Sequence, residues 1–590
     1  MYPEAITLFD LPPADATQLR LASEYGYDLR DSQIEDVDAA MQAIREGNRT
    51  VLYVAATGYG KSVCLSELAR RLAKDYRVLT TVDVGSLARD LAGSISHHTG
   101  EPCGILTGEE KENLGARIIA STIQTLYAKC PHTKRKRYEW AFDPKQPWAL
   151  LVDECESAIA KEFLGVCRYF LDGNPNNVLI GTTATPMRGD KRGLSELFQY
   201  ARNEPGPLNR NIKWCCDNGW LIRPRQAFVR VSLDFSTLKV SKNTSGEIDY
   251  KDEELGKMLE DEKALREFAV GIHKIANGSP SIVIVPTIDV AEKLSHHLCA
   301  VAGDRASHAV SSRHKSLAKE NIERFKRGEY PYIVSVSMLY KGFDADLIRF
   351  VFMGRKTQSQ RIYAQALGRG TRPLKAIRDA LAAAPDAAAR LEIIAASDKP
   401  FMTMVDLVGI KPSVKDVSVV DVLGESQPEE VRERAKKKML EADEDETPQD
   451  AENAVREAVD ELAEQERKRQ ARERRKRELI QVDGHVDIEY TDGGKSAARV
   501  NPTSLPDRLR ANLMKFGVSD REIASWNEAT AKAANARIMH HVKNNLVTWK
   551  QAKALKRFGY TKEQLAVMPK AEASTILDAK FGGRNAVAGA

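Results

Sequence analysis

Residues 51–73 read VLYVAATGYGKSVCLSELARRLA. The opening VLYVAA fits a buried strand, and the closing VCLSELARRLA keeps helical spacing. Between them, TGYGKS places two glycines, a lysine and a hydroxyl where a strand hands over to a helix. That order fits a loop whose backbone N–H groups, with a helix N-terminus, cradle phosphates. Gly58 and Gly60, next to Thr57, let the backbone turn tightly and approach an anion closely. Lys61 is the candidate cation for the β and γ phosphates, and Ser62 the candidate hydroxyl for Mg²⁺. Ala55 stands where the generic pattern opens with glycine, so the loop needs support from elsewhere in the chain.

That support comes from LLVDECES at 150–157. Here an apolar run ends in adjacent carboxylates, Asp153 and Glu154, which are costly near a core unless something uses them. Beside a phosphate loop, Asp153 is the candidate to hold Mg²⁺ and Glu154 the candidate to polarise the attacking water. ATP and Mg²⁺ are therefore the expected cofactors. The third acid, Glu156, has no evident task in such a reaction.

Around these two stretches the strand pattern recurs as RVLTTV (77–82), RIIAST (117–122) and NVLIGTTA (177–184). A second series follows with SIVIVP (281–286), YIVSVS (332–337) and IRFVFM (348–353). Helical patterns alternate with these strands, which is the mark of parallel α/β sheets. The fold expected is α/β, with two tandem parallel-sheet domains at 1–205 and 266–412 joined by a connecting segment at 206–265. Residues 428–480 then turn from acidic (EADEDETPQDAE) to basic (ERKRQARERRKRE). We expect a charged helical linker over 413–498; a solvated helix or partly disordered segment and a partner-seeking helix both fit.

The tail repeats itself. LMKFGVSDREIASWNEATAKAA (513–534) aligns with LKRFGYTKEQLAVMPKAEASTI (555–576). Each copy ends a helix on Phe-Gly and restarts with a capping box, Ser519 with Glu522 and Thr561 with Gln564. A small all-α module of two hairpins is expected over 499–590. It is suited to nucleic-acid contact or to packing and protein docking.

Length and composition bound the rest. The 590 residues exceed what one core supports. A net charge of +5 says little about partners, so charge distribution must carry that argument. The N-terminus lacks a basic-then-apolar signal pattern, and no apolar run reaches the ~18 residues a membrane helix needs. The eight cysteines form no C-x-x-C pair, and none lies beyond 299. A zinc site is not expected, nor a membrane partner, and a reducing cytoplasm is the expected compartment.

The motifs together resemble those of superfamily 2 helicases and translocases over residues 29–373. LRDSQ (29–33) is similar to the adenine-recognition segment, with Gln33 reading the base. ATGYGKS corresponds to motif I, DECE to motif II and TTATPMRGD (182–190) to motif III, where Thr183 and Thr185 couple the sites. STIQTL (121–126) resembles a strand-contact motif, with Thr122 and Gln124 near nucleic-acid phosphates. VSMLYKGFDAD (336–346) resembles motif V through Gly342, Phe343 and Asp344. QALGRGTR (365–372) has the form of motif VI, in which Gln365 precedes two arginine fingers, Arg369 and Arg372.

Within the superfamily the likeness is nearest to the group holding RadD-type repair helicases and type III restriction motor subunits. The cysteine-rich zinc segment of the RadD type has no counterpart here. Two RecA-like motor domains follow from this resemblance, as does an ATP-dependent DNA helicase acting in replication, recombination or repair. A double-strand translocase without unwinding, an RNA helicase, and a nucleic-acid-binding scaffold with a vestigial ATPase are the alternatives. DNA, single-stranded or forked, is the expected partner, with RNA less favoured and a protein partner open for 428–590. Glu156 stands where the family usually has His or Asp. Ionised, it accepts hydrogen bonds only, so a donor such as Gln365 or Thr183 is expected, and with it a coupling role.

Overall fold

The computed structural model describes residues 27–129, 134–156, 161–185, 194–242, 248–336, 345–442, 447–483, 505–526 and 528–582. Motif V residues Gly342, Phe343 and Asp344 lie outside that set. The chain divides into two compact units near residue 461.

The first unit begins with helix α1 (Asp31–Arg45) and strand β1 (Thr50–Ala55), followed by α2 (Lys61–Leu72), β2 (Arg77–Val82) and α3 (Gly85–Thr99). Strands β3 (Gly104–Leu106), β4 (Lys111–Glu112), β5 (Ile118–Thr122) and β6 (Trp148–Val152) come next. Then come α4 (Lys161–Gly173), β7 (Val178–Thr183) and β8 (Asn209–Arg210). The sheet order is β4-β3-β5-β2-β6-β7-β1-β8, parallel apart from the β3–β4 pair. β1, β6 and β7 are buried at every position, as central parallel strands require. Because β7 lies between β1 and β6, the TGYGKS, DECE and TTAT segments all leave the same carboxyl edge of the sheet.

The second sheet contains β9 (Pro224–Arg230), β12 (Ser281–Ile284), β13 (Ser307–Val310), β14 (Tyr332–Ser335), β15 (Phe350–Met353) and β16 (Met402–Val408). A separate ribbon pairs β10 (Val240–Lys242) with β11 (Ile248–Tyr250). The larger sheet is ordered β13-β14-β12-β15-β16-β9, and every pair in it is parallel. Helices α5 (Glu262–Ala276) and α6 (Ile288–Ala302) supply Leu265, Phe268, Leu294 and Leu298 to its core. Helix α7 (Lys315–Lys326) precedes β14, and α8 (Gln360–Gly370) follows β15.

The fold is thus α/β with two tandem RecA-like domains, but two boundaries differ from expectation. β9 lies within the segment read as a connector, yet pairs with β16 along its whole length, from Pro224 opposite Met402 to Arg230 opposite Val408. Pro224, Arg225 and Arg230 interrupt the apolar run and disguise an edge strand; proline is tolerated here, at the first residue of a strand on the sheet's edge. Residues 413–442, read as linker, also pack on this domain. Helix α9 (Glu429–Ala442) buries Val431, Ala435 and Met439, and Lys436 Nζ donates to the carbonyls of Val414 and Asp416, each at 2.9 Å.

A buried polar cluster joins this extension to α8. The Tyr363 hydroxyl donates to Asp406 on β16, the Gln226 amide donates to Asp406 Oδ2 at 3.0 Å, and Gln226 Oε1 accepts the Val419 N–H. Burial pushes the Asp406 carboxyl up to about 7, against the hydrogen bonds and nearby Lys356 that favour its charge. Its folded pKa exceeds the unfolded one, so this contribution to stability is complete below about pH 4 and lost as pH rises to about 7. In Asp406→Asn, the thermal midpoint of the first unit should lose that part of its pH dependence, measured by calorimetry between those limits.

Helix α10 (Ala451–Asp483) buries Ala451 and Ala458 and is mostly exposed over 459–473, as a charged helix is. In the second unit, α11 (Asp507–Lys515), α12 (Glu528–Lys543), α13 (Trp549–Lys556) and α14 (Lys570–Gly582) build the repeat. Gly517 and Gly559 end the first helix of each copy at φ +95° and +89°, and both capping boxes form. One core gathers Leu513, Ile523 and Ile538, and the other Leu555, Leu565 and Met568. Among the described residues no helix is long and apolar enough to cross a membrane.

Candidate active site

Gly58 and Gly60 adopt φ +93° and +108°, which glycine accepts at little cost. A Cβ on Gly60 would sit 2.6 Å from Gln33 Nε2, and one on Gly58 3.2 Å from Arg372 Cγ. The loop is therefore closed in by α1 on one side and by the second domain on the other. Gln33 is buried and braces it: Nε2 donates to the Tyr59 carbonyl at 3.2 Å, and Oε1 accepts the Arg30 N–H at 3.0 Å. Tyr27 and Arg30, rather than Gln33, line the cavity in this stretch. Arg30 also donates to the Tyr59 carbonyl and lies over the Trp220 ring at 4.6 Å.

Lys61 Nζ stands 3.0 Å from Glu154 Oε1 and 3.9 Å from Asp153 Oδ1. Burial opposes its charge, but Glu154, Asp153 and Glu156 hold the ammonium above its ordinary range. Asp153 Oδ1 accepts the Thr182 hydroxyl at 2.7 Å and the Glu154 N–H at 3.0 Å. Those bonds orient the carboxylate and leave its second oxygen to a cation. With Ser62 at the start of α2, the donors are a carboxylate and a hydroxyl, a set that suits a hard, oxygen-liganded ion such as Mg²⁺. Glu154 takes φ +51°, uncommon for a residue with a side chain and a form of strain that gathers at functional sites.

Glu156 is buried at 5% exposure. Burial first, and then the Glu154 charge and hydrogen bond, push its carboxyl well up, while a hydrogen bond with Thr183 opposes the shift. That bond puts Thr183, one of the donors expected for Glu156, beside it. Thr183 Oγ1 donates to the Thr185 carbonyl and accepts the Thr185 N–H, both at 3.0 Å. The Asp153–Thr182 and Glu156–Thr183 hydrogen bonds join the DECE and TTAT segments.

From the second domain, Gln365, Arg369 and Arg372 line the same cavity of about 610 Å³ as Lys61, Ser62, Asp153 and Glu154. The domains come this close because α8 carries glycine at 368, where a Cβ would meet Thr57 Cβ at 2.4 Å. Two residues here left no signal in the sequence. Arg378 lines the cavity. Lys399, fully buried, donates to the Arg372 carbonyl at 2.7 Å and the Asp346 carbonyl at 2.8 Å. Burial lowers its ammonium to about 7. No motif surrounds either residue. Arg30 was open to detection, since it stands in LRDSQ, a stretch that carries the family likeness.

The strand-contact pair divides. Gln124 is exposed, whereas Thr122 is 5% exposed and its hydroxyl bonds Thr125 Oγ1 at 2.7 Å. Thr122 is thus turned into the domain, away from any phosphate outside it.

Fold and site define a two-domain motor of the nucleoside-triphosphatase kind, with the phosphate loop on one domain and the arginines on the other. Residues 26–188 match the family described as "Type III restriction enzyme, res subunit", and residues 261–373 match "Helicase conserved C-terminal domain". The two matches fall on the two α/β domains, the restriction-enzyme model on the first and the helicase C-terminal model on the second. Over 359 residues it is 24% identical to the "Putative ATP-dependent helicase IRC3" of Saccharomyces cerevisiae, covering 58% of this chain and 49% of that protein. It is also 24% identical over 361 residues to the "Putative mitochondrial ATP-dependent helicase irc3" of Schizosaccharomyces pombe, covering 60% and 56%. The chain spans about half the length of these relatives. Among solved structures, the type ISP restriction-modification enzyme LlaBIII bound to DNA is similar at 15% identity and TM-score 0.47, over 93% of this chain and 41% of that one.

Proposed function

We propose that this chain is an ATP-dependent DNA helicase that couples ATP hydrolysis to movement along, and separation of, DNA strands in replication, recombination or repair. The observation that carries the reading is the shared cavity, with Lys61, Asp153 and Glu154 on one side and Arg369 and Arg372 on the other. Phosphoryl transfer depends on positioning and charge neutralisation, and here the neutralising cations come from two bodies. Hydrolysis is then possible only while the domains are closed, and closing and reopening would advance a bound strand.

In this reading Ser62 and Asp153 hold Mg²⁺, whose charge offsets that of the phosphates. Lys61, Thr57, Gly58 and Gly60 position the phosphates. Glu154 orients the attacking water, and Arg369 and Arg372 face the charge that develops at the transferred group. Gly342 and Asp344 keep their place as expected nucleotide contacts, and Gln124 as a strand contact. The preference for DNA over RNA rests on DECE paired with TATP and on the restriction-type first domain. A reducing cytoplasm is the compartment inferred from the cysteine spacing; one relative is named as mitochondrial.

Glu156 links the hydrolytic acids to Thr183 and is assigned the coupling role. Glu156→Ala should keep nucleic-acid-free turnover within about twofold of the parent and lose most of its stimulation by DNA, read by phosphate release. The whole reading is tested on a forked DNA duplex labelled with fluorophore and quencher. Strand release that requires ATP is expected. DNA-stimulated phosphate release without any strand release would replace the helicase with a translocase.

A further inference from the structure

Residues 529–562 contain eight Lys and Arg and no Asp or Glu. They span most of α12, all of α13 and the turn between, and the middle of this stretch lines a cavity of about 150 Å³. That is several times the ~30 Å³ a water molecule occupies in the liquid. Its walls combine Phe516, Trp549, Arg537, His541 and Lys570, and no carboxylate among the described residues lines it. Both repeats contribute: Phe516 comes from the first, while Trp549 and Lys570 come from the second. Lys550 joins from the second as well, its stem lying across the Gly517 turn, where a Cβ would meet Lys550 Cε at 2.9 Å.

The cations fall into two kinds. Lys532 and Lys553 are tied to Glu528 and Glu522, each at 2.7 Å. Arg537, Lys550 and Lys570 have no acidic partner among the described residues. His541 Nδ1 lies 2.8 Å from the Val547 carbonyl, so that nitrogen carries the hydrogen and Nε2 is left as an acceptor. An aromatic ring, an acceptor, and guanidinium and ammonium groups at one cavity match the way single strands are held, by stacking of a base and neutralisation of its phosphates.

We propose that this cavity is a second binding site for single-stranded nucleic acid, with a base against Phe516 and backbone phosphates on Arg537, Lys550 and Lys570. The inference rests on nucleic acid being the substrate of the motor, but it concerns a site remote in sequence from the ATPase. It is tested on the full chain by fluorescence anisotropy with a labelled single strand of about 15 nucleotides, at several salt concentrations.

The double variant Arg537→Ala/Lys570→Ala should bind about tenfold more weakly, with a salt slope smaller by about 1.4, or 0.7 for each lost phosphate contact. Phe516→Leu, which keeps the apolar contact, should weaken binding with the slope unchanged. Lys550→Ala, at an exposed position, covers the case in which the double variant fails to fold, and should lower the slope by about 0.7. Nucleic-acid-free ATPase should stay at the parent level in all three. Parental affinity and slope in folded variants would overturn the proposal, as would displacement of a bound acidic peptide with no change in strand binding. Loss of affinity in these variants, even if forked DNA is never unwound, would leave this site standing while the helicase reading fell.

Discussion

Arg369→Ala is expected to lower kcat for ATP hydrolysis by about 10³-fold or more, the effect of removing an arginine finger. Nucleotide affinity should change only a few-fold, because Lys61 and the glycine turns that grip the phosphates lie on the other domain. Arg369 is 7% exposed and lines the cavity opposite Lys61 and Glu154, so its charge acts there with little screening. Steady-state phosphate release, set beside binding of a fluorescent nucleotide, separates the two quantities. A fall of less than tenfold would mean that Arg369 is not the transition-state cation.

The second large effect comes from a residue with no side chain. Gly368→Val places atoms where Thr57 already stands, since even the first carbon would come within 2.4 Å. The cheapest relief is to hold α8 away from the phosphate loop, which withdraws Arg369 and Arg372 as well. Misplacement by about 1 Å can cost about 10²-fold, and a loss in kcat of that order is expected with ATP binding retained. Valine has a higher helix propensity than glycine, so α8 itself should still form and a folded protein should be recovered. Wild-type turnover in this variant would show that the close approach of α8 to the loop has no part in catalysis.

Much of this was legible in the sequence because the signals were strong and local. Buried parallel strands are continuous apolar runs, and the loop between β1 and α2 has few alternatives once glycine, lysine and serine stand at those spacings. The hairpin repeat was legible for the same reason, since Phe-Gly and the capping boxes are short-range patterns.

What escaped depends on long-range packing. β9 carries charge at both ends and becomes a strand only because β16 offers it an edge. Lys436 reads as one more cation in a charged helix, yet it is buried against carbonyls 20 and 22 residues away. Gln33 was assigned to the base from its place in LRDSQ, but the conformation of Tyr59 turns its amide to the loop. Lys399 has no pattern around it at all. Its role follows only from the meeting of two backbone segments that the chain order keeps apart.

On the function proposed, bound DNA drives hydrolysis at the cavity between the two domains. The most direct test is phosphate release by the full chain at one fixed salt concentration, with single-stranded DNA, forked DNA, duplex and RNA in turn. Turnover should rise at least about tenfold with single-stranded or forked DNA, less with RNA, and vanish in Lys61→Ala whatever polymer is present. Turnover indifferent to every nucleic acid, or surviving in Lys61→Ala, would contradict the account.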